Sequence, residues 1–363
     1  MFIVKETHAA KKDKAVIFCC DRNVVRFAQF VARQIIQAEP TRDFDICITT
    51  FDSAVLDDSN IHPEIRVCQI DPSWFSSLIT SARIPITSYI RIAFPKIFAG
   101  DYKQIVYLDI DVFLRKGQIS DLFAAAKPGQ AISAVQDGLQ WITHRDPKRI
   151  EYYKLMGNYG KKYLNAGVLV FDTAACRKLD FSDGVLAKGQ EALALKKANP
   201  DVSFFHDQTA INGFLSGNWA PLSLRWNWQT MPTAARLIDH FDPYLVHFIG
   251  HTKPWLPKTV PYTQKYRQYY KSFFASEFNE SLPSREFGGY ANKSNPGFWH
   301  GLKSELTPRK IKSRLNMVNP LYYTNLRGLI PLIEMKRHLK DVEHSIEAGS
   351  PIWPRDVVKK TPK

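Results

Sequence analysis

Two carboxylates, Asp109 and Asp111, interrupt the apolar run "QIVYLDIDVFL" at residues 104–114. On a strand, residues i and i+2 share a face, so both side chains are expected to point together with Ile110 opposite. Carboxylates that close repel each other, and burying either one unpaired costs several kcal/mol. A divalent cation relieves both costs, and carboxylate oxygens suit Mg²⁺ or Mn²⁺ rather than zinc. A strand end emerging into solvent would also explain such a pair. Here Val112, Phe113 and Leu114 resume the apolar run, which argues against that alternative.

The flanking pattern predicts the elements that would hold the pair. "KAVIFCC" (14–20) reads as a strand, and "NVVRFAQFVARQII" (23–36) follows with helical spacing of Val24, Phe27, Val31 and Ile35. "FDICITTF" (44–51) and "IRVCQI" (65–70) read as short β-branched strands. "TSYIRIAFPKIF" (87–98) reads as a helix opened by Thr87 or Ser88 and interrupted at Pro95. "QAISAVQ" (130–136) and "YLNAGVLVFD" (163–172) complete the set of strands. Strands alternating with helices imply an α/β fold with a largely parallel sheet covered on both faces. Such sheets bind ligands beyond the carboxyl ends of their strands, where a DxD closing residues 104–108 would lie.

The first strand runs into "CCDRN" rather than a glycine-rich loop. No backbone cradle for phosphate is therefore expected there. A nucleotide diphosphate in this sheet would need another source of positive charge, which a metal on Asp109 and Asp111, helped by a nearby cation, could supply.

The 363 residues, 45% of them hydrophobic, suffice for a sizeable core. No apolar run approaches the roughly 20 residues that span a bilayer. "MFIVKETHAAKKDK" has no long apolar stretch, so no signal peptide is expected. Five cysteines without CxxC spacing argue against a zinc site or a disulfide framework and fit a reducing, cytoplasmic compartment. The net charge is +14, and residues 301–340 hold nine Lys or Arg against two Glu, half of the excess. That excess points to anionic partners.

The motifs "YLDIDVFL", "LNAGVLVFD", "HDQTAINGFL" and "HFIGHTKPW" occur in that order. Together they resemble the retaining glycosyltransferases of family 8, of the glycogenin and bacterial lipopolysaccharide galactosyl- and glucosyltransferase type. The resemblance covers roughly residues 14–256. It implies a GT-A fold, a UDP-hexose donor (glucose or galactose), Mn²⁺ or Mg²⁺ as cofactor, and retention at the anomeric carbon. It further implies a glycan or glycolipid acceptor, on lipopolysaccharide or another cell-surface glycan.

Carried over by position, the resemblance matches Asp109, Asp111 and His247 to metal ligands. Gly250 and Lys253 match the segment around the diphosphate, with Lys253 as a charge on the leaving group. Asp21 and Asn23 match uridine-binding positions, with Cys19 or Cys20 where a smaller residue is usual. Arg91 matches an arginine near the donor, and Asn165 and Gly167 match the wall around the donor sugar. Asp207 and Gln208 match the pair nearest the transferred sugar. Gln208 is a poor nucleophile, which favours front-face attack over double displacement. Gln136, Asp137, Trp141, Trp226 and Trp228 are candidates for the acceptor side, although indoles are also common core residues and core packing is the favoured reading for the three tryptophans.

The sequence divides into a catalytic region at 1–260, a helix and linker at 261–297, and a basic tail at 298–363. Within the tail, Pro308 is placed to open a helix with Ile311, Leu315 and Val318 on one face and cations on the others. That pattern suits an anionic membrane surface, and a location in the cytoplasm or on the inner face of the membrane. The alternative is a helix packed back on the catalytic region. Two other readings rank lower. "LDIDVFL" also resembles the nucleophile motif of haloacid-dehalogenase-like phosphatases, but several elements precede it and the later motifs fit a transferase. A non-catalytic basic binding protein would need no DxD, and no nucleic-acid motif is evident, so no nucleic acid is expected.

Overall fold

The computed structural model describes residues 2–76, 86–141, 162–198, 206–250, 252–257, 261–283 and 326–349. The predicted tail helix at Pro308–Val318 lies outside them. Contacts divide the chain into two units. The first comprises residues 1–228, 242–247 and 340–363, and the second residues 229–241 and 248–339.

The first unit holds an eight-stranded sheet. Its strands are β1 (Ile3–Glu6), β2 (Lys14–Cys19), β3 (Asp45–Thr50), β4 (Ile65–Ile70), β5 (Gln104–Leu108), β7 (Ile132–Gln136), β8 (Leu164–Asp172) and β9 (Ala220–Pro221). They lie in the order β1-β4-β3-β2-β5-β8-β7-β9. β2, β3, β4 and β5 are mutually parallel. Their unbroken apolar runs follow from burial on both faces: Val16, Ile17, Ile46, Ile48, Ile105 and Val106 are all solvent-inaccessible. Each such side chain contributes roughly 1.5–3 kcal/mol through removal from water. α1 (Val25–Ala38) buries Val25, Ala28, Val31, Ala32 and Ile35 at helical spacing.

Two strands run against the rest. β1 is an antiparallel edge strand on β4, formed by the short apolar patch at the N-terminus that the sequence pattern did not mark as a strand. β8 is antiparallel to both β5 and β7. Its reversal brings its N-terminal residues beside the C-terminal end of β5, with Leu108 opposite Val168. The site is built at that junction. A second, three-stranded sheet of β6 (Val112–Leu114), β10 (Trp228–Gln229) and β11 (Leu245–His247) has the order β10-β11-β6.

Two local expectations change. Asp109–Asp111 is not part of a strand: β5 ends at Leu108, β6 begins at Val112, and a turn joins them. The flanking apolar residues belong to two different sheets, so their apparent continuity is local coincidence. Pro95 does not interrupt a helix either. A 3₁₀ segment (Ile86–Ala93) precedes, and Pro95 lies in the first turn of the short helix Phe94–Ile97, where its missing N–H costs nothing.

In the second unit, Pro261–Phe278 forms the aromatic helix expected after residue 260. Leu326–Glu347 is also helical. Its last residues belong to the first unit, where Glu343 accepts hydrogen bonds from the Ser223 hydroxyl and, at 2.9 Å, from Leu224 N–H.

Candidate active site

Two strand pairings gather the metal-binding candidates. Asp109 follows β5, and its N–H donates to Gly167 O across to β8 at 2.8 Å. His247 ends β11 and lies opposite Val112, the residue after Asp111. Ligand atoms of Asp109, Asp111 and His247 consequently fall within 4.8 Å of one another. His247 Nε2 is 3.2 Å from Asp111 Oδ1 and 3.6 Å from Asp109 Oδ2.

Asp109 and His247 are each held by their other polar atom. The Tyr107 hydroxyl donates to Asp109 Oδ1, and Arg91 lies 3.1 Å from the same oxygen, leaving Oδ2 towards His247. His247 Nδ1 is 2.9 Å from Asn227 Oδ1. Burial pushes the Tyr107 phenol well above its usual value, so it remains a donor. Gly167 backs the cluster. A Cβ there would fall onto the His247 ring, 2.7 Å from Nδ1 and 2.9 Å from Asp109 Oδ2. Two carboxylates and one imidazole nitrogen, oriented from behind and facing one another, are a donor set that suits Mn²⁺ or Mg²⁺.

Arg91 is buried beneath this group rather than on a solvated helix face. Its Nε donates to Ser88 O and its guanidinium to Ala166 O, each at 2.8 Å. It pairs with Asp207 at 3.0 Å and lies 4.1 Å from the centre of the Tyr107 ring. Burial pushes the Asp207 carboxyl up to about 6, with Arg91 opposing that rise and Asp109 adding to it.

Asp207 and Gln208 lie in the first turn of the helix His206–Leu215. Asn212 fixes that helix to β8, accepting from Leu164 N–H at 2.8 Å and donating to Leu164 O at 3.0 Å. The Gln208 amide is doubly anchored. Its Oε1 accepts from Ala166 N–H at 3.0 Å and from Asn165 at 3.3 Å. Its Nε2 donates to Asp137 Oδ2 at 3.0 Å. Asn165 is a strand residue here and also donates to Asp137, at 3.1 Å.

The remaining candidates are placed as follows. Asp21 and Asn23 occupy the turn between β2 and α1, where Asp21 Oδ1 accepts from Asn23 N–H at 2.8 Å. Asn23 is exposed. Gly250 and Lys253 belong to the second unit. Gly250 has φ +78° with open space around its missing Cβ, and Lys253 donates to Phe248 O. Trp141, Trp226 and Trp228, candidates for either the acceptor side or the core, are core residues at 0%, 4% and 0% exposure. Trp141 packs on Trp228 with ring centres 5.3 Å apart, and Trp226 packs on Tyr244 at 4.4 Å. Gln136 and Asp137 are also buried. Tyr107 and Asn227 had not been singled out. A polar residue between two tryptophans in "RWNWQ" was the available signal for Asn227.

A mixed sheet with an acidic turn at the end of a central strand, faced by a histidine from a second small sheet, defines a GT-A glycosyltransferase. The chain belongs to glycosyltransferase family 8, whose profile, "Glycosyl transferase family 8", matches residues 15–259. Among curated proteins it is similar to general stress protein A of Bacillus subtilis (strain 168), 28% identical over 210 residues. That match covers 54% of this chain and 68% of the relative. It is also similar to glycosyltransferase GlyF of Streptococcus pneumoniae serotype 4, 25% identical over 201 residues, covering 54% of this chain and 44% of the relative. The latter match thus spans less than half of the relative's length. Among solved structures, the galactosyltransferase LgtC in complex with donor and acceptor sugar analogues aligns with TM-score 0.58 at 20% identity. That alignment covers 79% of this chain and 99% of LgtC. The bifunctional glycosyltransferase WbbM aligns with TM-score 0.58 at 16% identity, over 77% of this chain and 53% of WbbM. At these identities the structural likeness concerns the fold. No described helix is long and apolar enough to cross a membrane.

Proposed function

We propose that the protein transfers glucose or galactose from a UDP-sugar to an acceptor hydroxyl of lipopolysaccharide or another cell-surface glycan, with retention of anomeric configuration. The observation that carries this reading is the convergence of Asp109 Oδ2, Asp111 Oδ1 and His247 Nε2 at the end of β5. Mn²⁺ or Mg²⁺ held there would act as a Lewis acid on the departing diphosphate. Lys253 and Gly250 are assigned to the diphosphate, and Asp21 and Asn23 to the uridine. Asn165 and Gly167 line the donor sugar, and Arg91 aligns Asp109 and Asp207 at the donor.

The anchoring of Gln208 supports front-face attack. Both directions of its amide are engaged, so it is suited to orient the sugar and not to displace a leaving group. Asp207 is engaged by Arg91. In the proposed step the acceptor oxygen bonds the anomeric carbon as the bond from that carbon to the phosphate oxygen breaks. The acceptor proton passes to the departing phosphate. Asp137 and Gln136 remain assigned to the acceptor side.

The basic segment 298–363 is proposed to meet anionic lipid at the inner face of the cytoplasmic membrane, where each cation contributes about 1 kcal/mol. Equal flotation of the full chain and of a chain ending at residue 297 with anionic liposomes would rule this out. The central test is UDP release from a panel of UDP-sugars. Release with one UDP-hexose that requires Mn²⁺ and is lost in Asp109→Asn is expected. Full metal-dependent release by Asp109→Asn, or phosphate release from an aryl phosphate, would overturn the reading. Capture of a sugar covalently attached to Asp207 would overturn front-face attack.

A further inference from the structure

Asn227 is solvent-inaccessible and joins two functional side chains. Its Nδ2 is 2.8 Å from Asn165 Oδ1, and its Oδ1 is 2.9 Å from His247 Nδ1. Which end of a buried amide faces which partner is ordinarily ambiguous, and so is the tautomer of a histidine beside it. Here the polarity is set by groups that cannot turn over. Gly167 N–H donates to Asn165 at 3.0 Å, and a backbone N–H is only ever a donor, so the oxygen of Asn165 must face it. Ala166 N–H does the same for Gln208 Oε1, which fixes Asn165 Nδ2 as the donor to that oxygen. Asn165 Oδ1 is therefore an acceptor on the side of Asn227. The amide of Asn227 must present Nδ2 to it, which turns Oδ1 to the histidine ring. A carbonyl oxygen accepts only, so His247 Nδ1 must carry the hydrogen.

We infer that Asn227 is a positioning residue that fixes His247 as the Nδ1–H tautomer, so that Nε2 presents its lone pair to Asp109 and Asp111. The tautomer follows from the hydrogen-bond chain alone. Its consequence for cation binding rests on the proposed metal site. A lone pair aimed at two carboxylates is unfavourable without a positive charge between them. The arrangement holds the ring ready for a cation in the way that partners of metal-bound histidines commonly do. The same chain joins the cation candidates to Gln208, so the groups assigned to the sugar and to the diphosphate share one set of fixed dipoles.

The test is a long-range ¹H–¹⁵N spectrum of His247 in the full chain with Mg²⁺, at a pH where the ring is neutral. A hydrogen on Nδ1 with bare Nε2 is expected in the wild type. It is also expected in Asn227→Asp, whose carboxylate still accepts from Nδ1–H. Asn227→Leu, which removes the acceptor at similar volume, should shift the ring towards Nε2–H. It should also weaken Mn²⁺ binding, followed by electron paramagnetic resonance titration, about 10–100-fold. Nε2–H in the wild type, or an unchanged tautomer in a folded Asn227→Leu, overturns the inference. If Asn227→Leu does not fold, the wild-type and Asn227→Asp spectra decide. His247→Ala separates the two readings. Unchanged Mn²⁺ binding in that variant refutes the metal site, whereas lost binding there with unchanged binding in Asn227→Leu refutes the role of Asn227.

Discussion

Among the described residues the first unit buries two arginines, each beside a tyrosine and two carboxylates, and they do different things. Arg66 pairs with Glu6 and, at 2.7 Å, with Asp101, and donates to Tyr102 at 2.8 Å. Those two carboxylates are 33% and 30% exposed, so water screens whatever charge the arginine leaves. Tyr102 then donates to Asp45 at 3.1 Å, tying the edge strand β1 to the core. Arg91 also pairs with two carboxylates, Asp109 and Asp207, but Asp207 is 8% exposed and Asp111 stands alongside at 15%. Arg91 is set between Asp109 and Asp207, and Asp111 shares His247 with Asp109. The first network completes itself and holds a strand. The second brings three ligand atoms within 4.8 Å of one another, where the proposed cation would be held, and that is what separates a candidate site from a brace.

The largest effect should come from removing charge where it is needed. Asp111→Asn is expected to lower metal-dependent UDP release at least a hundredfold while the metal-free melting curve changes little, comparable to loss of a preorganised electrostatic contact. Equal loss in the metal-free melt would make Asp111 a brace instead. Next, Arg66→Met should cost about 3 kcal/mol in urea unfolding, the low end for breaking a buried pair, because its partners reach solvent. Activity per folded molecule should hold, and a fall in activity at unchanged stability would contradict the distinction.

Asp207 gives a smaller, pH-dependent signature. Burial holds its folded pKa near 6 against roughly 4 in the unfolded chain, so the folded state binds the proton more tightly. The stability from this group is complete below about pH 4 and is lost as pH rises through about 6. In metal-free protein, wild type minus Asp207→Asn should therefore change by on the order of 2 kcal/mol between pH 4 and pH 7. Parallel profiles would show that Asp207 does not titrate as described. The smallest effect is expected from Gly167→Ala, whose Cβ must displace the His247 ring. It should weaken Mn²⁺ binding about tenfold, as disturbance of an outer-shell partner does. Unaltered affinity would mean that the ring has room to move.

The strands that are buried on both faces were the most legible. The run at 65–70 is β4 without change, and 44–51 contains β3. Their signal is local, a short β-branched stretch between polar breaks. The acidic pair was legible as chemistry and misread as geometry. Alternation suggested a strand because residues on either side of the turn are strand residues, but of different sheets. Pairing of that kind depends on β8 and β11, which lie more than fifty and more than one hundred thirty residues further along the chain. His247 was found only through its motif, since one histidine at a strand end carries no signal of its own. Asn227 depended on partners drawn from two other segments, β8 and β11. For the tryptophans the sequence left two readings, with core packing the favoured one, because an indole that stacks on a sugar and one that fills a core look alike in sequence.

The turn at Asp109–Asp111 is the shortest covalent link from the eight-stranded sheet to the three-stranded one. With β5 locked to β8 and β6 locked to β11, the link has no slack on either side. Loop lengths elsewhere on the surface of a protein usually tolerate insertion and deletion. Here one residue more or fewer between Leu108 and Val112 would separate the carboxylates from the histidine even with every side chain retained. The count of residues in this connection is as much a part of the site as their identity.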